Sequence, residues 1–362
     1  MNRRLRKRIW ICGDVWMDIL PSFDHAKLGL KMALLSDRFD VLVDKHFDGK
    51  SELTIWKPIR IQQGKGPKSK LFVRVDDQFV AFPFPDRPLP NKICFKDLQI
   101  DYIDRTVRAF LRSNKQIWDR IGTNLELAVS WNTDDKHPIW EVFARQIWPI
   151  FAANIRHLNV GGGQHLDNLR RHISPTLLTD LNHLNSIQSG CLFPDAFGDF
   201  DGPNPTFSAG QALSKWLHSP TKNGQPKRLR CYYYFCPTNL ECVKSLKEKF
   251  ISATASVSYK ISVKMPMASI ERFNEWVNER TQEKLTSHIA GYWWLLKRCP
   301  ISENAATDQW KNDENWENNL NNVKFNLRGS TRPFCPKRKK KNKKKKMMKR
   351  AKALKRRRSA RK

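Results

Sequence analysis

The nine His and eight Cys are the side chains best suited to hold a metal or to act as nucleophiles, and their spacing gives neither job to them. His165 and His172 share a helical stretch but form no H-E-x-x-H or similar ligand pair, so they read as surface or packing residues. Cys231, Cys236 and Cys242 follow C-x4-C-x5-C with no matching second pair. Cys231 and Cys236 bound an aromatic strand, where a thiol packs as a small apolar group. Gly64, Gly66 and Lys68 lie in GKGPKSK, which lacks the G-x-x-x-x-G-K-[ST] register of a phosphate loop. Gly161 to Gly163 follow a strand without continuing into G-x-G-x-x-G. Both glycine segments read as turns. A catalytic triad can be assembled from distant positions, but no motif speaks for one. The expectation is a non-catalytic chain with no cofactor and no metal.

Charge is the other reactive feature. Residues 337–362 hold 18 Lys and Arg and no Asp or Glu, so that segment accounts for 18 of the net +31 and leaves +13 on the other residues. Such density releases counterions from phosphates and predicts salt-dependent, sequence-independent attraction to RNA or DNA. Lys337, Arg338, Lys339, Lys340 and Lys341, with Lys355, Arg356, Arg357 and Arg358, are dense enough to act as nuclear localisation signals. The segment has no aromatic residue for base stacking and too few apolar groups to order itself. Arg3, Arg4, Arg6, Lys7 and Arg8 make a smaller basic arm at the other end.

Between these ends, 40% hydrophobic residues with 13 Trp and 20 Phe supply a core. No run approaches the roughly 18 apolar residues of a membrane helix, and Ile9 to Cys12 is too short for a secretory signal. Dispersed Cys fit reduced thiols. The expectation is a soluble intracellular protein that does not engage a membrane. SELTIWKPIRI and KLFVRV read as paired strands around a turn, and Pro83, Pro85, Pro88 and Pro90 as a stiff connector. Strand and helix then alternate: ICFKDLQI strand, DRTVRAFLRSNKQIWDRI helix, LELAVSW strand, HPIWEVFARQIWPIF helix, IRHLNV strand. The rhythm continues to SYKISVKM, with strand starts about 30 to 43 residues apart, as in stacked βα units. Residues 273–289 and 291–300 read as a terminal sheet segment and NNVKFNL as a last strand, which could cap the array.

Residues 15–47 pack three short helical patterns together. Val15, Trp16, Ile19 and Leu20 make the first apolar face; Leu28, Ala33, Leu34 and Leu35 the second; Phe39, Leu42 and Val43 the third. Asp24 and Ser36 are suited to cap the second and third helices. Leu34, Leu35, Ser36, Arg38, Phe39 and Leu42 match the Leu-Val-Ser, Arg, aromatic, Leu ending of an F-box, and the run resembles that module. The segments 51–61, 84–111, 147–160, 208–231 and 294–300 resemble the nematode family of F-box proteins, a likeness spanning roughly 10–327.

The resemblance implies a substrate receptor of a Skp-cullin-F-box ubiquitin ligase, with a Skp-type adaptor and, through it, a cullin as partners. The target protein is not identified by it. Trp16, Ile19, Leu20, Phe23, Leu28, Leu34 and Phe39 are the adaptor-facing or module-defining set. The expected organisation is a basic arm over 1–9, an F-box-like three-helix module over 10–50, a substrate-recognition region over 51–330 and a disordered Lys/Arg-rich tail over 331–362. The fold class is α/β (α+β), an irregular leucine-rich-repeat-like array, with an ordinary open α/β sheet as the alternative. Nucleus and cytoplasm is the expected location. The competing function is a nuclear RNA- or chromatin-associated protein acting through its tail.

Overall fold

The computed structural model describes residues 10–49, 54–64, 68–75, 77–90, 92–128, 138–190, 192–194, 208–221, 224–232, 240–264, 275–302 and 321–326. The N-terminal helices are α1 (Gly13–Ile19), α2 (His25–Lys27) and α3 (Asp37–Asp48), with a π-type turn and a 3-10 turn between the last two. Strands β1 (Thr54–Trp56), β2 (Ile59–Gln63), β3 (Ser69–Val75), β4 (Gln78–Phe82), β5 (Ile93–Phe95) and β6 (Leu98–Ile100) follow. Helices α4 (Arg105–Ser113) and α5 (Lys115–Ile121) lead to β7 (Thr123–Ala128). Next come α6 (Pro138–Val142), α7 (Trp148–Phe151), β8 (Ile155–Val160), α8 (Gly163–His172), α9 (Leu177–Asp180) and β9 (Ser186–Ser189). Helix α10 (Ala209–His218), β10 (Lys227–Tyr232), α11 (Leu240–Ser252) and β11 (Tyr259–Lys264) complete the alternation. Strands β12 (Glu275–Asn278), β13 (Glu283–Ala290), β14 (Trp293–Pro300) and β15 (Asn321–Asn326) end the described chain.

The fold is mixed α/β. One 13-stranded sheet has the order β12-β13-β14-β11-β10-β9-β8-β7-β15-β6-β2-β3-β4. From β11 to β2 every neighbouring pair is parallel, and antiparallel strands close both ends. From β7 to β11 sequence neighbours are sheet neighbours. Right-handed crossovers in one direction set their helices on a single face. The core cluster joins Leu125, Leu158, Ile187, Leu229 and Ile261 of the strands to Phe151, Leu166, Leu213, Leu217 and Phe250 of the helices. Alternate strand residues point away from it, as the burial pattern of β11 illustrates.

Most elements lie where hydrophobic periodicity places them, and four differ. SELTIWKPIRI is two strands, β1 in a separate two-stranded sheet and β2 paired with β3 in the large one. ICFKDLQI is two strands: β5 pairs β1 in a separate two-stranded sheet, while β6 joins the large one. The expected helix over 104–121 is two helices. At the junction the Leu111 carbonyl accepts from Trp118 Nε1 at 3.0 Å, and Asn114, fully buried, takes the amide of Leu89 at 2.7 Å, while the Phe110 carbonyl keeps its helical bond from Asn114 N at 3.2 Å. The last strand caps nothing. β15 is inserted in the middle of the sheet, parallel to both β6 and β7. Asn321, also fully buried, holds its start: Oδ1 accepts from Phe95 N at 2.9 Å and Nδ2 donates to Ile117 O at 3.1 Å and Gly122 O at 3.3 Å. Gly122 has φ 91, a backbone state glycine reaches without strain.

The far end is tied by an ion pair out of contact with water. Arg298 donates to Glu283 through Nε at 3.0 Å and Nη2 at 2.5 Å. Glu283 also accepts from Ser256 Oγ at 2.8 Å and Val257 N at 3.0 Å, which compensates its desolvation. Near the other end, Asp104 caps α4 through Val107 N at 3.0 Å and accepts both Ser69 N and Ser69 Oγ from β3.

Asn321→Ala leaves the Phe95 amide without its acceptor and should cost about 2–4 kcal/mol in denaturant unfolding. Burial depresses His157, aided by the charge of Arg230, from 6.5 to about 4. It depresses His218 likewise to about 4, with Arg298, Lys249 and Lys227 adding repulsion against the Ser214 carbonyl's opposing pull. Between those values the unfolded chain binds the protons and the folded chain does not, so stability is full above 6.5 and falls as pH drops towards 4. Thermal melts of the wild type and of His157→Gln with His218→Gln should show a shallower decline for the double variant across that window.

Candidate functional site: the N-terminal helical surface

The apolar residues of 13–48 divide between an inside and an outside. Leu20, Leu28, Val43 and Phe47 form a small core of their own, with Met17, Phe23, Met32, Ala33 and Leu42 packed around it. Leu20 and Leu28 are completely buried and so define the module rather than face a partner. Ile19 is half-buried, as are Trp16 and Phe39, whose rings meet edge to face at 4.8 Å and join α1 to α3. The Leu34 side chain lies outside the described residues.

Local chemistry explains the helix ends. Ser36 Oγ accepts from Phe39 N at 3.4 Å, the N-cap expected from the sequence. Asp37 and Asp40 occupy the first turn of α3, where carboxylates complement the helix dipole, and Lys45 and His46 the last. Arg87 pairs with both Asp37 and Asp40 and anchors the helix to the proline connector. Asp44 is pushed above the usual carboxylate range, first by partial burial and then by Asp40 and Asp48. The Asp24 carbonyl accepts from Leu28 N at 3.0 Å and its carboxylate meets Lys57 at 2.7 Å.

What this surface offers a partner is apolar area. Trp10 is 79% exposed, Val41 66%, Leu35 60% and Val15 45%. Arg38 lies over the Trp10 ring at 4.1 Å and donates to the Ile11 carbonyl, which holds the segment before α1 against α3. Trp10 and Val41 escaped sequence reasoning, because Trp10 precedes the first periodic run and Val41 sits off the apolar stripe of α3. The module is bound to the sheet through Leu30, which belongs to the main core, and through Gly29. A Cβ at Gly29 would meet Trp56 Cζ2 at 2.8 Å, so only glycine admits this approach.

The other chemical candidates do not assemble a site. His165 is buried against Trp140, their rings 6.1 Å apart, and His172 is half-buried. Among the described residues no three His, Cys, Asp or Glu converge on a metal position. Cys231 Sγ donates to Leu192 O at 3.0 Å, and burial pushes its thiol up, away from the thiolate. Cys236 and the Cys242 side chain lie outside the described residues, as do Gly66, the arm 1–9 and the tail with Lys337–Lys341 and Lys355–Arg358. Gly64 N donates to Lys68 O at 2.8 Å, so GKGPKSK connects the antiparallel β2 and β3. No described helix is long and apolar enough to cross a membrane.

Three comparisons with known proteins gave nothing: no family model, no curated protein and no solved structure matches the chain.

The inside and outside residues should separate in stability. Leu20→Ala empties a fully enclosed site and should destabilise the module by about 2–5 kcal/mol. Val41→Asp should stay within about 0.5 kcal/mol. Hydrogen exchange of the amides of 13–48 measures both.

Proposed function

We propose that the chain is an F-box substrate receptor of a Skp-cullin-F-box ubiquitin ligase, docking a Skp-type adaptor through its N-terminal helices and a target protein through its α/β region. The observation that carries the reading is a three-helix module with its own core and four strongly exposed apolar side chains, Trp10, Val15, Leu35 and Val41. A free module leaves such residues in water at a cost of about 25 cal/mol per Å² and recovers it on docking. The match of Leu34, Leu35, Ser36, Arg38, Phe39 and Leu42 to the F-box ending supports the same reading from the sequence side.

On this reading the chain has no reacting group. It holds a target near the ubiquitin-charged enzyme of the assembly, and proximity raises the effective concentration of the reactants. The consecutive βα units from β7 to β11 support a repeat-like, leucine-rich-repeat-style recognition region, because each unit contacts mainly its neighbours. A second reading, an RNA- or chromatin-associated nuclear protein, is favoured by the 18 Lys and Arg of 337–362. The same residues support a nuclear as well as a cytoplasmic location for the receptor.

A pull-down of the full chain by purified Skp-type adaptor tests the proposal. Leu35→Asp with Val41→Asp places charges on exposed positions, so capture should fall at least about tenfold while the melting temperature holds. Neutralising Lys337–Lys341 and Lys355–Arg358 to Gln should leave capture intact. Failure of the wild-type chain to bind adaptor, with RNA binding that collapses on tail neutralisation and in salt, would replace the first reading by the second.

A further inference from the structure

Helices α8 and α10 follow the neighbouring parallel strands β8 and β9, have ten residues each and pack against one another. Their first turns line one cavity of about 460 Å³, beyond the carboxyl ends of those strands, where open α/β sheets hold their ligands. In α8 the Gly162 carbonyl accepts from His165 N at 3.1 Å and Leu166 N at 3.2 Å. In α10 Ser208 Oγ accepts from Gln211 N at 3.2 Å and the Ser208 carbonyl from Ala212 N at 3.0 Å. The amides of Gly163, Gln164, Ala209 and Gly210, at the first two positions of each helix, are left without an acceptor among the described residues, and all four residues line the cavity. A side chain independently lacks an acceptor at the same place. Asn168, one turn into α8 on the face of Gln164, lines the cavity, is only 2% exposed and has no partner for Nδ2 among the described residues. A buried amide in that state is destabilising until an acceptor reaches it.

We infer that this cavity is a binding site for a phosphate monoester, with the phosphate group seated on the two helix N-termini. Two helix dipoles present their positive ends there, and the first-turn amides are donors suited to a group with three strong acceptor oxygens. Asn168 supplies a further donor from the side of α8. The volume lies in the range of about 300–1,000 Å³ usual for small-molecule sites, so the cavity has room for the carrier as well as for the phosphate. Asp167 gives the site its selectivity. It lines the cavity, pairs with Arg170 at 3.0 Å, and burial pushes its carboxyl above the usual carboxylate range. A carboxylate there repels a fully ionised anion but accepts a hydrogen bond from a phosphate that keeps one proton, as a monoester does near its second pKa of about 6. Sulfate keeps none. Arg171 lines the same cavity but is already engaged, and the site does not depend on its charge. Nothing in the site depends on the receptor reading either.

The test uses the full chain with Lys337–Lys341 and Lys355–Arg358 changed to Gln, which lessens competing attraction by the tail. Isothermal titration at about pH 6 compares O-phospho-L-serine and adenosine monophosphate, two carriers of the same group, with inorganic phosphate and sulfate. At least one ester should bind at a single site, at least about tenfold more tightly than sulfate, and raise the melting temperature. The tighter of the two identifies the carrier. Gly163→Pro removes one first-turn amide at a position where proline suits a helix. Gly163→Ala keeps that amide and adds a Cβ in ordinary contact with Leu192 Cδ1 at 3.5 Å and Ala209 Cβ at 3.8 Å. The proline should weaken the ester at least about tenfold and the alanine by less than about threefold. Asn168→Leu removes the unpartnered donor and should weaken the ester at least about tenfold while the melting temperature of the free chain holds or rises. Asp167→Asn should bring sulfate to within about threefold of the ester. Ester affinity within about twofold of the parent chain in both Gly163→Pro and Asn168→Leu overturns the inference, as does sulfate bound by the parent chain as tightly as the esters, or inorganic phosphate bound more tightly than either. A gain in ester affinity on changing Asp195, Asp199 and Asp201 to Asn overturns an external ligand, because the chain's own carboxylates would then hold the two helix ends.

Discussion

The sheet depends on one intrusion. β6 and β7 are consecutive strands of the βα alternation, yet β15, from the far end of the described chain, lies hydrogen-bonded between them. The buried Asn321 amide makes that possible by linking the Phe95 amide of β5 with the carbonyls of Ile117 and Gly122 at the end of α5. A buried amide with both its oxygen and its nitrogen used is strongly position-specific, since a one-residue slip would strand all of these groups. Val323 and Phe325 then complete the core, where Phe325 meets Phe143 and Phe151. The two halves of the sheet therefore share one hydrophobic core although they are far apart in sequence.

The N-terminal module is attached differently. Its core, around Leu20, Leu28, Val43 and Phe47, is separate from the main one. Contact with the body is made by Leu30, by the Gly29–Trp56 approach and by charged pairs from Arg87 and Lys57. Exposed pairs of this kind contribute little stability each. They fix orientation, and the apolar contact at Trp56 supplies the attachment. A module with its own core and a narrow base can present Trp10, Leu35 and Val41 without sharing them with the sheet.

On the sheet the same alternation that buries one side chain exposes the next, so every strand contributes to two surfaces at once. Helices take the apolar one. The other gathers Arg228, Arg230, Lys260, Lys264 and Lys297 on adjacent strands although they come from segments far apart in the chain. Near β6, β15 and β7 the same side forms a cavity of about 430 Å³ lined by Asp97, Gln99, Asn124, Glu126, Asn322 and Lys324. That side thus mixes polar, charged and a few apolar side chains such as Leu295 and Trp293.

Period and capping made most elements legible. The alternation in YKISVK, the amphipathic AGQALSKWLH and the Ser36 cap each specify local structure through interactions within a few residues, and β11, α10 and α3 lie there. The chain by itself also determined its charge division and the apolar pattern of the N-terminal helices. It did not reveal that ICFKDLQI serves two sheets, that the helix over 104–121 divides beside the buried Asn114 or that NNVKFN enters the middle of the sheet, because these outcomes involve buried amides whose partners are remote: Leu89 for Asn114, Phe95 and Ile117 for Asn321. Tertiary structure alone divided Leu20 and Leu28 from Leu35 and Val41, since periodicity marks an apolar face without stating what covers it. It alone brought the five cations of β10, β11 and β14 into one patch, because strand register is settled by packing across the sheet and not along the chain.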